Sequence, residues 1–74
     1  KKMTDSAKLR ELIESKGFKM KFVAESLGLS TYGLSLKINN KLEFKTSEVF
    51  ALCELLGIKS LKEKESLFFK QKDD

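Results

Sequence analysis

No histidine occurs in the 74 residues, and cysteine occurs once, at Cys53. These absences remove a Ser–His or Cys–His nucleophile pair, a zinc site with histidine and an all-cysteine zinc site. A single thiol has no internal partner for a disulfide, which fits a reducing cytoplasm. Glu11, Glu14 and Glu25 are scattered with no second acid poised across a pocket, and there is no Gly-rich phosphate loop. An enzyme is therefore not expected, nor a cofactor, a metal or a small-molecule ligand. No apolar run approaches the roughly 18 residues that span a membrane, and no signal-peptide pattern opens the chain. Proline is absent and glycine occurs four times, so several helices can run without breakers. Long apolar/polar alternation, the mark of half-buried strands, is missing too. The expected class is all α.

What is present suits a small, well-solvated helical globule: 41% of residues are hydrophobic and 35% charged. One domain over residues 1–74 is expected, and a chain of this size buries only roughly 60% of its unfolded surface. The polar ends, about 1–4 and 70–74, are expected to fray, and the tail reads as the end of a small protein. A first helix is predicted over about 5–16, with Leu9, Leu12, Ile13 and Lys16 on one face. Thr4, Asp5 or Ser6 can cap it, and Gly17 ends it. The fourth begins at Thr46 or Ser47 and runs to about 56, with Val49, Leu52, Cys53 and Leu56 inward and Gly57 at its end. Ser60 to Glu63 fit a capping box and open a fifth helix that ends near Leu67-Phe68-Phe69. These elements make a compact five-helix bundle.

The most informative stretch is KMKFVAESLGLSTYGLSLKI, residues 19–38. Met20, Val23, Ala24 and Leu27 recur at the spacing of one helical face, predicting a second helix over about 20–27. Gly28 follows where a helix end needs a residue that tolerates positive φ. A third helix is predicted over about 31–38, with Ser30 as its N-cap and Leu34 and Ile38 four residues apart. Small Ala24 and Gly28 would let the two helices approach closely. That is the specification of a helix-turn-helix, whose second helix is narrow enough for the DNA major groove. Asn39, Asn40 and Lys41 follow, and Asn tolerates the left-handed conformation that ends many helices. Residues 39–46 read as a connection, with Leu42 and Phe44 as anchors into the core.

Charge is concentrated on the same stretch. Residues 16–45 carry six lysines against two glutamates, and the remainder carries nine basic and nine acidic residues. The whole net charge of +4 therefore sits on the helix-turn-helix segment, the footprint of a polyanion partner.

The order of elements, with VAESLGLS ending the second helix, LSLKINNK within and after the third, and VFALCELLGI later, resembles the DNA-binding domain of phage-repressor (Cro-type, lambda-repressor-like) helix-turn-helix proteins over roughly residues 8–60. The resemblance implies that the second helix crosses the DNA backbone and the third lies in the major groove. It implies a homodimer on a two-fold operator in double-stranded DNA, acting as a transcriptional repressor in a bacterial cytoplasm, at the nucleoid when bound. It places base contacts at Thr31, Tyr32 and Ser35, and phosphate contacts at the Met20 backbone, Lys21, Asn39, Asn40 and Lys41. Leu36 joins the base-contact candidates, as a thymine-methyl contact or a partly buried residue. Lys19, Ser30, Lys37 and Lys45 join the phosphate candidates, against the alternative of a merely solvated lysine surface. Lys37 stands where the family usually has an apolar residue, and Gly33 sits inside the presumed reading helix.

No arginine falls in the third helix, so the common bidentate Arg-to-guanine contact is missing. Discrimination would lean on Thr, Tyr and Ser contacts or on DNA shape. Phe22 is expected to pack against the first helix, with a contact surface as the alternative. Of Leu67, Phe68 and Phe69, at least one should close the core and the others are candidate dimer contacts. The rival reading is a protein-interaction module of antirepressor or antitoxin type that keeps the bundle without reading DNA.

Overall fold

Helix ends, more than helix interiors, set this architecture. The computed structural model describes residues 2–71. Its five helices are α1 (Ser6–Ser15), α2 (Met20–Ser26), α3 (Thr31–Ile38), α4 (Thr46–Leu56) and α5 (Leu61–Phe68). Asp5, Ser30 and Ser60 cap α1, α3 and α5, their side-chain oxygens accepting the backbone N–H of Lys8, Gly33 and Glu63. The N-cap of α4 is Lys45, which has no side-chain acceptor. There the Glu48 carboxylate reaches back to accept the Lys45 N–H at 2.9 Å, so half of a capping box is formed.

The expected helices agree with the observed ones to within about two residues. The expected fraying differs. Lys2–Met3 (β1) pairs antiparallel with Lys70–Gln71 (β2), the Asp5 N–H donates to the Leu67 carbonyl at 2.7 Å, and Thr4 is buried. The two ends therefore close on each other. Residues 1 and 72–74, also expected to fray, lie outside the described residues.

One apolar cluster runs through all five helices. It draws Leu9 and Ile13 from α1, Val23 and Ala24 from α2, Leu34 and Ile38 from α3, Leu52, Cys53 and Leu56 from α4, and Leu67 and Phe68 from α5. Burial pushes the Cys53 thiol up, as befits a core residue. Phe44 meets Phe68 edge to face at 5.8 Å, which anchors the α3–α4 connection. Leu42, the other expected anchor, is exposed instead. None of the helices among the described residues is long and apolar enough to cross a membrane.

Candidate nucleic-acid interface

The turn between α2 and α3 follows from Gly28. At φ +72° it lets its own N–H donate to the Glu25 carbonyl while the Leu29 N–H donates to Ala24. This is a Schellman motif, and it satisfies carbonyls that the end of α2 would leave unpaired. Ala24, 1% exposed, and buried Leu34 lie in the common core of the two helices. On α3 the Ser30 hydroxyl receives the Gly33 N–H at 3.0 Å. A Cβ at position 33 would stand 3.1 Å from that hydroxyl, so glycine here relieves the cap.

The outward side of α3 presents Thr31 and Tyr32. Both are exposed, Tyr32 by 74%, and neither side chain makes a hydrogen bond among the described residues. Ser35 and Leu36 are half-buried one turn further on. Lys19 and Lys21 lie exposed at the start of α2, and Lys41 and Lys45 in the loop after α3. Met20 is half-buried against the core, and no side chain caps the first turn of α2.

The family model described as "Protein of unknown function (DUF739)" matches residues 4–71. The chain belongs to DUF739. No curated protein and no solved structure matches it. The DUF739 match begins at Thr4, just before the N-cap of α1, and runs through β2, so it takes in all five helices.

Within this DUF739 unit several expected contacts prove to be structural. Lys37 is 8% exposed, and its ammonium is paired with the Glu48 carboxylate. It is committed inside the fold and is no longer a candidate for phosphate. Burial raises the Glu48 carboxyl, but the Lys37 hydrogen bond, the Lys45 N–H and the charges of both lysines outweigh it, and the net shift is downward. Asn40 is likewise spent. Its Oδ1 accepts the Thr4 N–H and its Nδ2 donates to the Thr4 carbonyl, both at 2.9 Å. Its side chain thus pairs with Thr4 as a neighbouring strand would. Asn40 also takes φ +64° at the end of α3, the left-handed position expected of an Asn there.

Leu67 and Phe68 are core residues, 1% and 5% exposed, and not dimer contacts; Phe69 is half exposed. Phe22 is half exposed. It lies over Phe18, ring centroids 5.2 Å apart, beside an open hollow of about 530 Å³ that both residues line with Lys19, Lys21 and Glu25.

Two participants escaped the sequence reading. Glu48 pairs with a lysine 11 residues away, and its only local signal was its place three residues into α4. Arg10 lies outside the basic segment, yet its guanidinium donates to Asn39 Oδ1 at 3.1 Å and adds a cation at the C-terminal end of α3. Helical periodicity places Arg10 on the outward side of α1 but says nothing of which helix end it meets. Every fully buried side-chain nitrogen or oxygen among the described residues has a partner. No three metal-ligating side chains converge there either.

Proposed function

We propose that this DUF739 chain is a sequence-specific reader of double-stranded DNA, a homodimeric transcriptional regulator of the phage-repressor type, and not an enzyme. The observation that carries the reading is the first turn of α3. Thr31 and Tyr32 stand in solvent with no work in the fold, on a helix flanked in sequence by Lys19 and Lys21 on one side and Lys41 and Lys45 on the other. The resemblance to the phage-repressor family supports the same assignment.

In this mechanism α3 enters the major groove by its N-terminal half. Thr31 bonds a base edge or meets a thymine methyl, Ser35 reaches a base edge, and Tyr32 bonds a phosphate or packs on sugar. The exposed lysines neutralise phosphates and fix the docking angle, and the Ser30 hydroxyl hydrogen remains free to donate outward. Two reading helices about 34 Å apart enter successive major grooves, and occupancy blocks polymerase or a competing regulator.

The test is a fluorescence-anisotropy titration on a randomised duplex library at two salt concentrations, followed by sequencing of the retained pool. Four neutralised phosphates per protomer give a slope of log K on log [salt] near about −7 for the dimer. Enrichment of a two-fold site with that slope is the expected result. Absence of binding at low salt overturns the reading. It would then favour the interaction-module alternative, which has its own observation in half-exposed Phe22 over the open hollow beside α2.

A further inference from the structure

Arg10 is the single arginine of the chain, and its guanidinium is engaged with a neutral amide. No carboxylate pairs with it among the described residues, not even Glu14 one turn along α1. One terminal nitrogen of the guanidinium donates to Asn39 Oδ1 at 3.1 Å. Arginine holds donors and no acceptor, so the Asn39 atom that meets it is the oxygen. Asn39 Nδ2 is thereby turned away from Arg10, and neither of its hydrogens has an acceptor among the described residues. Both side chains are exposed. A cation and an oriented amide donor therefore stand side by side at the C-terminal end of α3.

We propose that Arg10 and Asn39 form a clamp for one phosphate of the DNA backbone, Arg10 supplying the charge and fixing which way the Asn39 amide faces. The inference rests on the DNA-reading assignment and adds α1 to the surface that assignment uses. Helical phase puts the clamp on the reading side of α3. The Asn39 N–H still donates to the Ser35 carbonyl, so the turn of the helix carries through it. At 3.6 residues per turn, Asn39 falls about 80° around the axis from Thr31, between Thr31 and Tyr32, with Ser35 at about 40°. Along the axis it stands about 12 Å from Thr31. The major groove is about 12 Å wide. A helix whose first turn meets the bases thus brings Asn39 to the wall of phosphates. Left to itself this end of α3 repels an anion, because the unpaired carbonyls of the last turn carry partial negative charge. The cation brought across from α1 reverses the sign there. Arginine also suits the task better than the lysines around it, since its planar fork matches phosphate oxygens.

Salt-dependent titrations of the full chain on a random duplex, read beside urea unfolding of the same variants, separate a clamp from a mere fastening of α1 to α3. Arg10→Gln keeps an N–H for Asn39 Oδ1 and discards the charge. Affinity should fall about tenfold per protomer near 0.1 M salt, and the dimer's slope of log K on log [salt] should become shallower by about 2. Asn39→Asp is the sharper variant. Its carboxylate strengthens the bond to Arg10 but puts an anion where the phosphate would sit. The unfolding midpoint should hold or rise, while affinity for every duplex falls by more than in Arg10→Gln. A fastening role predicts the opposite, since Asp would serve it as well as Asn. Wild-type slope in Arg10→Gln, or wild-type affinity in Asn39→Asp, overturns the proposal. If the wild type binds and both variants bind equally well, the clamp alone falls and the DNA reading stands. A wild type that binds no duplex at low salt removes both.

Discussion

At its C-terminal end α3 is fastened from several sides, whereas the Thr31 and Tyr32 side chains of its first turn are exposed. Lys37 is tied to Glu48 on α4, and the Ile38 carbonyl accepts the Ser6 hydroxyl of α1 at 2.6 Å. Asn39 takes Arg10, and Asn40 holds the backbone of Thr4. About two turns of helix separate this knot from Thr31 and Tyr32, whose side chains make no hydrogen bond among the described residues. The difference teaches how a short helix can be both rigid and available. Polar side chains locked at one end set its direction, and the free ones at the other keep their hydrogen-bonding capacity for a partner. The chemistry of the two ends is similar, amide and hydroxyl against hydroxyl and phenol. Their engagement is what separates structural residues from binding candidates.

The contrast breaks most severely at Glu48. Glu48→Ala leaves the Lys37 ammonium nearly buried without a counter-charge and the Lys45 N–H without its acceptor. A loss of about 3 kcal/mol is expected, a large share of the about 4–11 kcal/mol available to a domain of this length. Urea denaturation measures it, and Lys37→Met combined with Glu48→Leu should restore most of it, since a buried pair is replaceable by apolar volume. The same carboxylate predicts a pH dependence. Its folded pKa lies below the ordinary value, so its contribution is complete above the unfolded pKa of about 4.3 and is lost as pH falls through the lower folded value. Glu48→Gln should flatten that acid limb of the stability curve.

Asn40 is the next largest. Asn40→Ala removes both bonds to Thr4 and puts a Cβ-bearing residue without a polar side chain at φ +64°, for a loss of about 2 kcal/mol. Asn40→Gly sharpens the point, because glycine accepts the angle at no steric cost and isolates the amide. Glycine should recover about 1 kcal/mol of the loss in thermal or urea unfolding. Full recovery would mean that the Thr4 bridge contributes nothing.

The legible part of this molecule is its local part. The third helix was expected over 31–38 and is found there, because Ser30, Leu34 and Ile38 signal its start and its buried face within one short window. Gly28 was legible for the same reason. What the sequence hid depends on partners distant along the chain. Lys37 reads as a surface cation until Glu48 arrives, and Asn40 reads as a helix terminator until Thr4, 36 residues earlier, accepts its amide. Leu67 and Phe68 were ambiguous on physical grounds, since an apolar run looks the same whether it meets its own core or another chain. On the candidate interface the outward set Thr31 and Tyr32 was readable from helical phase. The division of the cations was not, because exposure and ion pairing are tertiary facts.

The free end of α3 supplies a smaller, differently signed test. Thr31→Ala should leave stability within about 0.5 kcal/mol of wild type, as befits a surface residue without partners. In the same protein, affinity for the enriched duplex should fall by about 1–3 kcal/mol and affinity for random DNA much less, so the preference relaxes. Equal loss on both duplexes would remove Thr31 from base reading.

The smallest effect belongs to Lys41, exposed in the loop just beyond the fastened end. Lys41→Ala should weaken every duplex alike and reduce the salt slope by about 1 for each protomer that loses the contact. Lys37, although only four residues earlier, is excluded from that role by its pairing with Glu48. Lys37→Met should therefore leave the salt slope unchanged even where it alters stability. If both substitutions moved the slope equally, the separation drawn between the locked and the free lysine would fail. The ion pair seen in the isolated chain would then have to open when DNA arrives, giving up a nearly buried contact to make an exposed one.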